Sequence, residues 1–153
     1  MRQDTQALSE IRTLLAAYNV AGDRMRLEAL AATFTPAGVL ETPTAVLRGR
    51  EEIARGLAGG SRRDGPAPTL VRHHLTTSHV ELQEADQAEA RTYFIVYTEI
   101  GPDHAGHYLD RLQKTAEGWR IQHRRVRVDW VADATLFPAL KPGFEARRRG
   151  RRS

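Results

Sequence analysis

The stretch GHYLDRLQKTAEGWRIQHRRVRVDW, residues 106–130, decides the fold. It holds two long strand candidates, Gly106 to Lys114 and Trp119 to Trp130, joined by a Glu117-Gly118 turn. Within the second, Trp119 and Ile121 share one parity, whereas Val126, Val128 and Trp130 share the other. A strict period of two cannot place both sets on one face. Either a bulge sits near Gln122 to Arg125, or the two ends of the strand are covered on opposite faces. A strongly bent sheet wrapped around a helix does both.

Working outward, Thr69 to Gln83 and Gln87 to Glu99 read as two more long strands, with turn signals at Glu84-Ala85-Asp86 and Gly101-Pro102-Asp103. Long strands joined by short turns form an antiparallel meander. The first half differs. Leu8, Ile11, Leu14, Leu15 and Tyr18 recur at helical spacing, predicting a helix over Asp4 to Ala21, capped by Asp4 and stopped by Gly22. A short helix over Arg26 to Thr33 follows, then a turn at Pro36 and Gly38. Two short strands, Val39 to Thr42 and Ala45 to Arg48, precede a third helix that opens at Gly49 with Glu51 and Glu52 in its first turn and ends near Gly59-Gly60. Ser61 to Pro68 reads as a polar, mobile loop. Helices first and strands after is an α+β pattern.

A chain of 153 residues fits one domain with its own core. There are no cysteines, which excludes disulfides, thiolate metal sites and cysteine nucleophiles. Residues 145–153 carry five arginines and one glutamate, so the whole net charge of +4 resides there and the rest of the chain is balanced. The reading is a domain over 1–144 and a basic, disordered tail over 145–153, which argues against a nucleic-acid surface. No stretch approaches the length of a membrane span, and Met1 to Asp4 leads into an amphipathic segment rather than a signal peptide. A cytoplasmic protein is the expectation.

Three local patterns, in this order, resemble the SnoaL-like (nuclear transport factor 2-like) superfamily. They are Tyr18-Asn19-Val20-Ala21-Gly22-Asp23 with Leu27 to Phe34, Val46-Leu47-Arg48-Gly49 into Arg50-Glu51-Glu52-Ile53, and Gly118-Trp119-Arg120-Ile121 through Val128-Asp129-Trp130. The resemblance implies a cone-shaped barrel of strongly curved, mainly antiparallel sheet on three N-terminal helices. It also implies a pocket inside, and often a homodimer through the outer sheet face. It does not fix one reaction, since the superfamily holds dehydratases, dehydrohalogenases, isomerases, polyketide cyclases and non-catalytic members.

Site candidates follow from residue chemistry. An imidazole can exchange a proton near neutral pH, and does so better when a carboxylate fixes its tautomer. Asp23, just past the first helix, and His74, early on the first long strand, are the expected catalytic pair. In members similar to scytalone dehydratase, a dehydrochlorinase and a bile-acid dehydratase, an Asp and a His occupy such places. The dehydrochlorinase His-x-x-Thr pattern matches His74 to Thr77, and its closing-strand Arg matches Arg124. The bile-acid enzyme's Tyr matches Tyr18, where the dehydrochlorinase has Lys, a departure that bears on the leaving group. His73 is the rival of His74, since strand neighbours face opposite sides and parity does not separate them. Tyr18 and Arg124 are expected to polarise the substrate, with Tyr93, Tyr97 and His73 as candidate substrate-binding residues. Asp103, His104, His107 and Asp110 invite a metal reading, but His104 and His107, three apart on a strand, face opposite ways, and no metal is expected. There is no phosphate loop in a strand context and no Gly-x-Ser-x-Gly elbow.

The expected function is therefore a cofactor-independent lyase of dehydratase type acting on an apolar small molecule. An isomerase or polyketide-type cyclase using the same pair, or a non-catalytic binding or assembly module, are the alternatives.

Overall fold

The computed structural model describes residues 1–59 and 67–142. The expected arginine tail, and most of the expected loop after the third helix, lie outside them. Helix α1 spans Arg2–Asp23, α2 Leu27–Ala31 and α3 Arg50–Gly59. The strands are β1 Phe34–Glu41, β2 Val46–Arg48, β3 Arg72–Glu84, β4 Gln87–Thr98, β5 Gly101–Thr115 and β6 Gly118–Val131, followed by a 3₁₀ turn at Pro138–Leu140. No helix among the described residues is long and apolar enough to cross a membrane.

The six strands form one curved sheet in the order β2-β1-β6-β5-β4-β3. Every neighbouring pair is antiparallel except β1 with β6. The sheet is open, with β2 and β3 at its edges, rather than a closed barrel. Its concave face meets the apolar stripe of α1, where Ala7, Ile11, Leu14, Leu15, Tyr18 and Ala21 are buried. Phe34, Leu40, Ile53, Phe94, Val96, Tyr108, Leu112, Trp119 and Ile121 complete the core.

Helix α1 runs past Gly22, which was expected to end it. The chain instead turns at Met25, whose φ of 56° is left-handed. Arg26 N–H donates to Ala21 O at 2.9 Å and Met25 N–H to Gly22 O at 3.0 Å, the paired bonds of a Schellman cap. Gly22 has a packing role: a Cβ there would lie 3.1 Å from Leu30 Cδ1 on α2. Strand β1 starts at Phe34, through the expected turn at Pro36 and Gly38. Proline is tolerated because the β1–β6 register breaks between Phe34 and Val39.

Bulges decide which side chains face inward. On β6, Leu112 pairs with Ile121 but Arg111 pairs with His123, so Gln122 is the extra residue, inside the window that the parity switch marked. Trp119 and Ile121 before it, and Arg124 after it, are consequently all buried. A second shift, after Val128, turns Trp130 outward, 49% exposed. On β3, the register shifts between Leu75 and Ser78, across Thr76 and Thr77. His73 and Leu75 therefore share a face with Ser78, Val80 and Leu82, as the alternating exposure along the strand shows. On β5, Val96 pairs with His104 and Tyr97 with Pro102, leaving Asp103 as the extra residue. Asp103 and His104 are thus both buried although they are neighbours.

Candidate active site

Asp23 is the last residue of α1, and the cap at Met25 fixes where its carboxylate points. Oδ2 accepts the backbone N–H of His73 at 2.9 Å, and Oδ1 lies 2.6 Å from Nδ1 of the same residue. One carboxylate thus grips both the backbone and the ring of a single histidine. Burial pushes the Asp23 carboxyl up, but the His73 side-chain and backbone hydrogen bonds together outweigh it and hold the group below the usual carboxylate range. An ionised carboxylate only accepts, so Nδ1 carries a proton, and the tautomer this selects has its lone pair on Nε2. The His73 side chain is 26% exposed, which leaves that edge reachable.

The expected pairing of Asp23 with His74 is not formed. His74 points to the outer sheet face, where its ring meets Tyr97 edge-on at 5.2 Å. The spacing that favoured His74 is met equally one residue earlier, from His73 to Thr76, so the motif could not separate the two. Tyr93 and Tyr97, expected to bind substrate, do not face the dyad. They lie on the outer face of β4, 45% and 39% exposed, while Ala88, Ala90, Thr92, Phe94 and Val96 point inward.

Tyr18 and Arg124 are brought together. Arg124 is fully buried and donates from Nε and Nη2 to the two oxygens of Asp110, both at 2.8 Å. Its guanidinium carbon sits 4.2 Å from the Tyr18 ring centroid and 4.0 Å from that of Tyr108. Tyr108 stacks on Phe94 at 4.7 Å, and Phe94 in turn lies 6.0 Å from the His73 ring. Tyr108 thus carries Phe94 and the guanidinium on its ring, and it also feels the Asp23 charge. Arg124 is the cation of a buried pair, with its Nη1 left buried without a hydrogen-bond partner. Burial pushes Tyr18 and Tyr108 up, above the ordinary phenol range, so both are neutral donors. The Tyr108 hydroxyl is spent on Asn19 Oδ1 at 3.0 Å.

A second carboxylate–imidazole pair lies across β4. His104 Nδ1 is 2.8 Å from Asp103 Oδ1. Asp103 is fully buried and accepts from Thr135 Oγ1 at 2.6 Å, Leu136 N–H at 2.8 Å and Thr98 Oγ1 at 3.3 Å. Burial pushes the Asp103 carboxyl up, but hydrogen bonds from Thr135, His104 and Leu136 together hold it low. Burial pushes the His104 imidazole down, only partly offset by Asp103, which keeps the ring neutral. The strand begins at Gly101, five residues before the expected start at Gly106, and this brings Asp103 and His104 inward as a pair rather than as metal ligands. His107 faces the other way and bonds Asp129 at 2.8 Å on the outer surface. No group of three His, Asp or Glu side chains among the described residues is arranged to hold a metal ion.

A curved, open six-strand sheet packed on three helices is the nuclear transport factor 2-like fold, and the chain is similar to an NTF2-like protein from Novosphingobium aromaticivorans at 25% identity, covering 86% of this chain and 85% of that one, with a TM-score of 0.69. More particularly, it belongs to the family of SnoaL-like domains, whose sequence pattern matches residues 3–125. No curated protein matches the chain. Among solved structures, it is similar to an Asp-to-Asn variant of a Mycobacterium tuberculosis protein of unknown function, at 28% identity, covering 96% of this chain and 92% of that one, with a TM-score of 0.74. It is similar to a Catenulispora acidiphila protein solved in complex with S-DNPA, at 29% identity, covering 82% and 95%, TM-score 0.71. It shares its fold with a putative scytalone dehydratase from Novosphingobium aromaticivorans, at 20% identity, covering 86% and 90%, TM-score 0.73.

Proposed function

We propose that the protein is a cofactor-independent lyase of dehydratase type, with His73 as its base and Asp23 as the residue that orients it. The observation that carries this reading is the double grip of Asp23 on His73, at 2.9 Å to the backbone and 2.6 Å to Nδ1. That grip fixes the tautomer whose Nε2 can take a proton from carbon, and the carboxylate stabilises the imidazolium that results. The substrate is a small molecule with a C–H next to a carbonyl or similar group, the acidity that a single imidazole base requires. The carbanion pair left on carbon moves to form a double bond as the neighbouring hydroxyl departs. The proton on Nε2 is then delivered to the departing oxygen, so the net change is loss of water. The family resemblance and the scytalone dehydratase-like neighbour support the reaction class.

The test is incubation with a panel of cyclic β-hydroxy ketones, followed by mass spectrometry. Loss of one water in the native protein, absent in Asp23→Asn and His73→Gln variants that melt normally, is the expected outcome. Products of unchanged mass that depend on the same two residues would make it an isomerase or cyclase. No conversion of any panel member would count against an enzyme of this class.

A further inference from the structure

We propose that the concave face holds a second ligand site at the end remote from the dyad, built on Trp119 and suited to a small uncharged molecule with a carbonyl oxygen. It stands apart from the lyase reading and does not rest on it. Helix α1 runs for 22 residues, so at about 1.5 Å per residue its first turn lies about 30 Å from Asp23. The sheet outruns the helix at that end. Ala7 is the first buried residue of α1, whereas β3, β5 and β6 continue to their turns. Between the start of α1, the end of β3 and Trp119 lies a cavity of about 560 Å³, the size of a small-molecule site.

Two side chains point to a ligand there. Trp119 lines the cavity, is 3% exposed, and its Nε1–H has no acceptor among the described residues. A buried donor left unmet is costly, and an acceptor oxygen that meets it gains affinity by the same amount. Lys114 lines the cavity too. Alternation along β5 carries Tyr108, Asp110, Leu112 and then Lys114 to one face, and Lys114 is the direct cross-strand partner of Trp119. An exposed lysine in that series marks the point where the face stops being sealed core. The walls are set in advance. Gly118, at a φ of 103°, closes the β5–β6 turn directly before Trp119, and Thr115 Oγ1 donates to Gly118 O at 2.9 Å. Lys114 N–H donates to Asp86 O at 2.7 Å and ties the end of β5 to the β3–β4 turn. Around the rim, Glu84 balances Lys114, and the N-terminal amine lies 3.2 Å from Asp4, so no net charge selects an ion. The ligand's oxygen accepts from the indole N–H, and its apolar part lies against Ala7 and Leu82.

The test is proton–nitrogen NMR of the full chain titrated with cyclohexanone, with methylenecyclohexane, which has the same shape without the oxygen, and with cyclohexanecarboxylate. The chain has two tryptophans, and Trp130, 49% exposed on the outer face, is the internal control. The Trp119 indole N–H signal is expected to move downfield and saturate with the ketone and to stay put with the hydrocarbon, while that of Trp130 stays put with both. At the Ala7 and Leu82 methyl signals, the ketone is expected to bind about tenfold more tightly than the hydrocarbon. Trp119→Phe keeps a ring and removes the N–H, and should bring the two within about twofold. His73→Gln should leave the preference intact, since the dyad takes no part. A Trp119 signal that ignores the ketone, as it would if water were its acceptor, would overturn the proposal. So would equal affinities for ketone and hydrocarbon, or tighter binding of the carboxylate. All three are read in the native protein and need no variant to fold.

Discussion

Replacing Arg124 by Met separates a structural cation from a catalytic one. The guanidinium makes two 2.8 Å hydrogen bonds to Asp110, and neither side chain has any exposed surface. Methionine leaves the Asp110 carboxylate buried without a partner. Breaking a buried pair in this way costs about 3–5 kcal/mol. For a chain of this size, each kcal/mol moves the midpoint by about 2–4 °C, so Arg124→Met should melt about 6–20 °C lower. Arg124→Met combined with Asp110→Leu removes both charges, and apolar replacement of a whole buried pair is close to neutral or stabilising. The double variant should therefore regain most of the lost midpoint in thermal unfolding followed by circular dichroism. It should also retain elimination activity, since the guanidinium is committed to Asp110 and to the rings of Tyr18 and Tyr108. A single variant within about 1 kcal/mol of the native protein would refute the energetics. A folded double variant without activity would return Arg124 to the chemistry.

Three further outcomes follow from other parts of the fold. Met25 is 65% exposed at a φ of 56°, so Met25→Gly loses little packing. It relieves about 1–2 kcal/mol of left-handed strain against about 0.5–1 kcal/mol of added chain entropy, and denaturant titration should show a net gain of about 0.5–1 kcal/mol. The His104 imidazole is held below its ordinary range by burial, so below pH about 6.5 the unfolded chain binds more protons than the fold and stability falls as pH drops. His104→Asn should flatten that slope in denaturant midpoints. A steeper loss below pH about 4 should remain, because Asp23 and Asp103, also held low, stabilise the fold only while ionised. If the protein pairs with a second copy through its outer sheet face, where Tyr93, Tyr97 and Trp130 are exposed, Tyr97→Lys with Trp130→Lys should sediment as a monomer and the native chain as a dimer.

The order of elements is legible in the sequence because each long strand and each helix carries its own periodicity. The bulge at Gln122 is legible too, since large apolar residues stand on both sides of it and switch parity. The shift across Thr76 and Thr77 leaves a more ambiguous mark: Val71 and Leu75 before it and Val80 and Leu82 after it lie on opposite parities, but Leu70 before it shares the parity of Val80 and Leu82, so parity alone does not say which set faces inward near the histidines. That single shift decides between His73 and His74. Arg124 carried a readable signal, since it shares parity with Val126 and Val128, but the neighbouring Arg120, Arg125 and Arg127 masked it. The inward pair of Asp103 and His104 depends on a bulge at the very start of β5, where Gly101-Pro102 reads as a turn.

The most direct test of the dyad is the ring opening of 5-nitrobenzisoxazole, a reaction in which one base removes one C–H proton and the N–O bond breaks. The rate in His73→Gln should fall by about 10²–10⁴-fold, the range for loss of a positioned base, and His74→Gln should match the native protein. An unchanged rate in His73→Gln, or a collapse confined to His74→Gln, would contradict the assignment of His73 as the base.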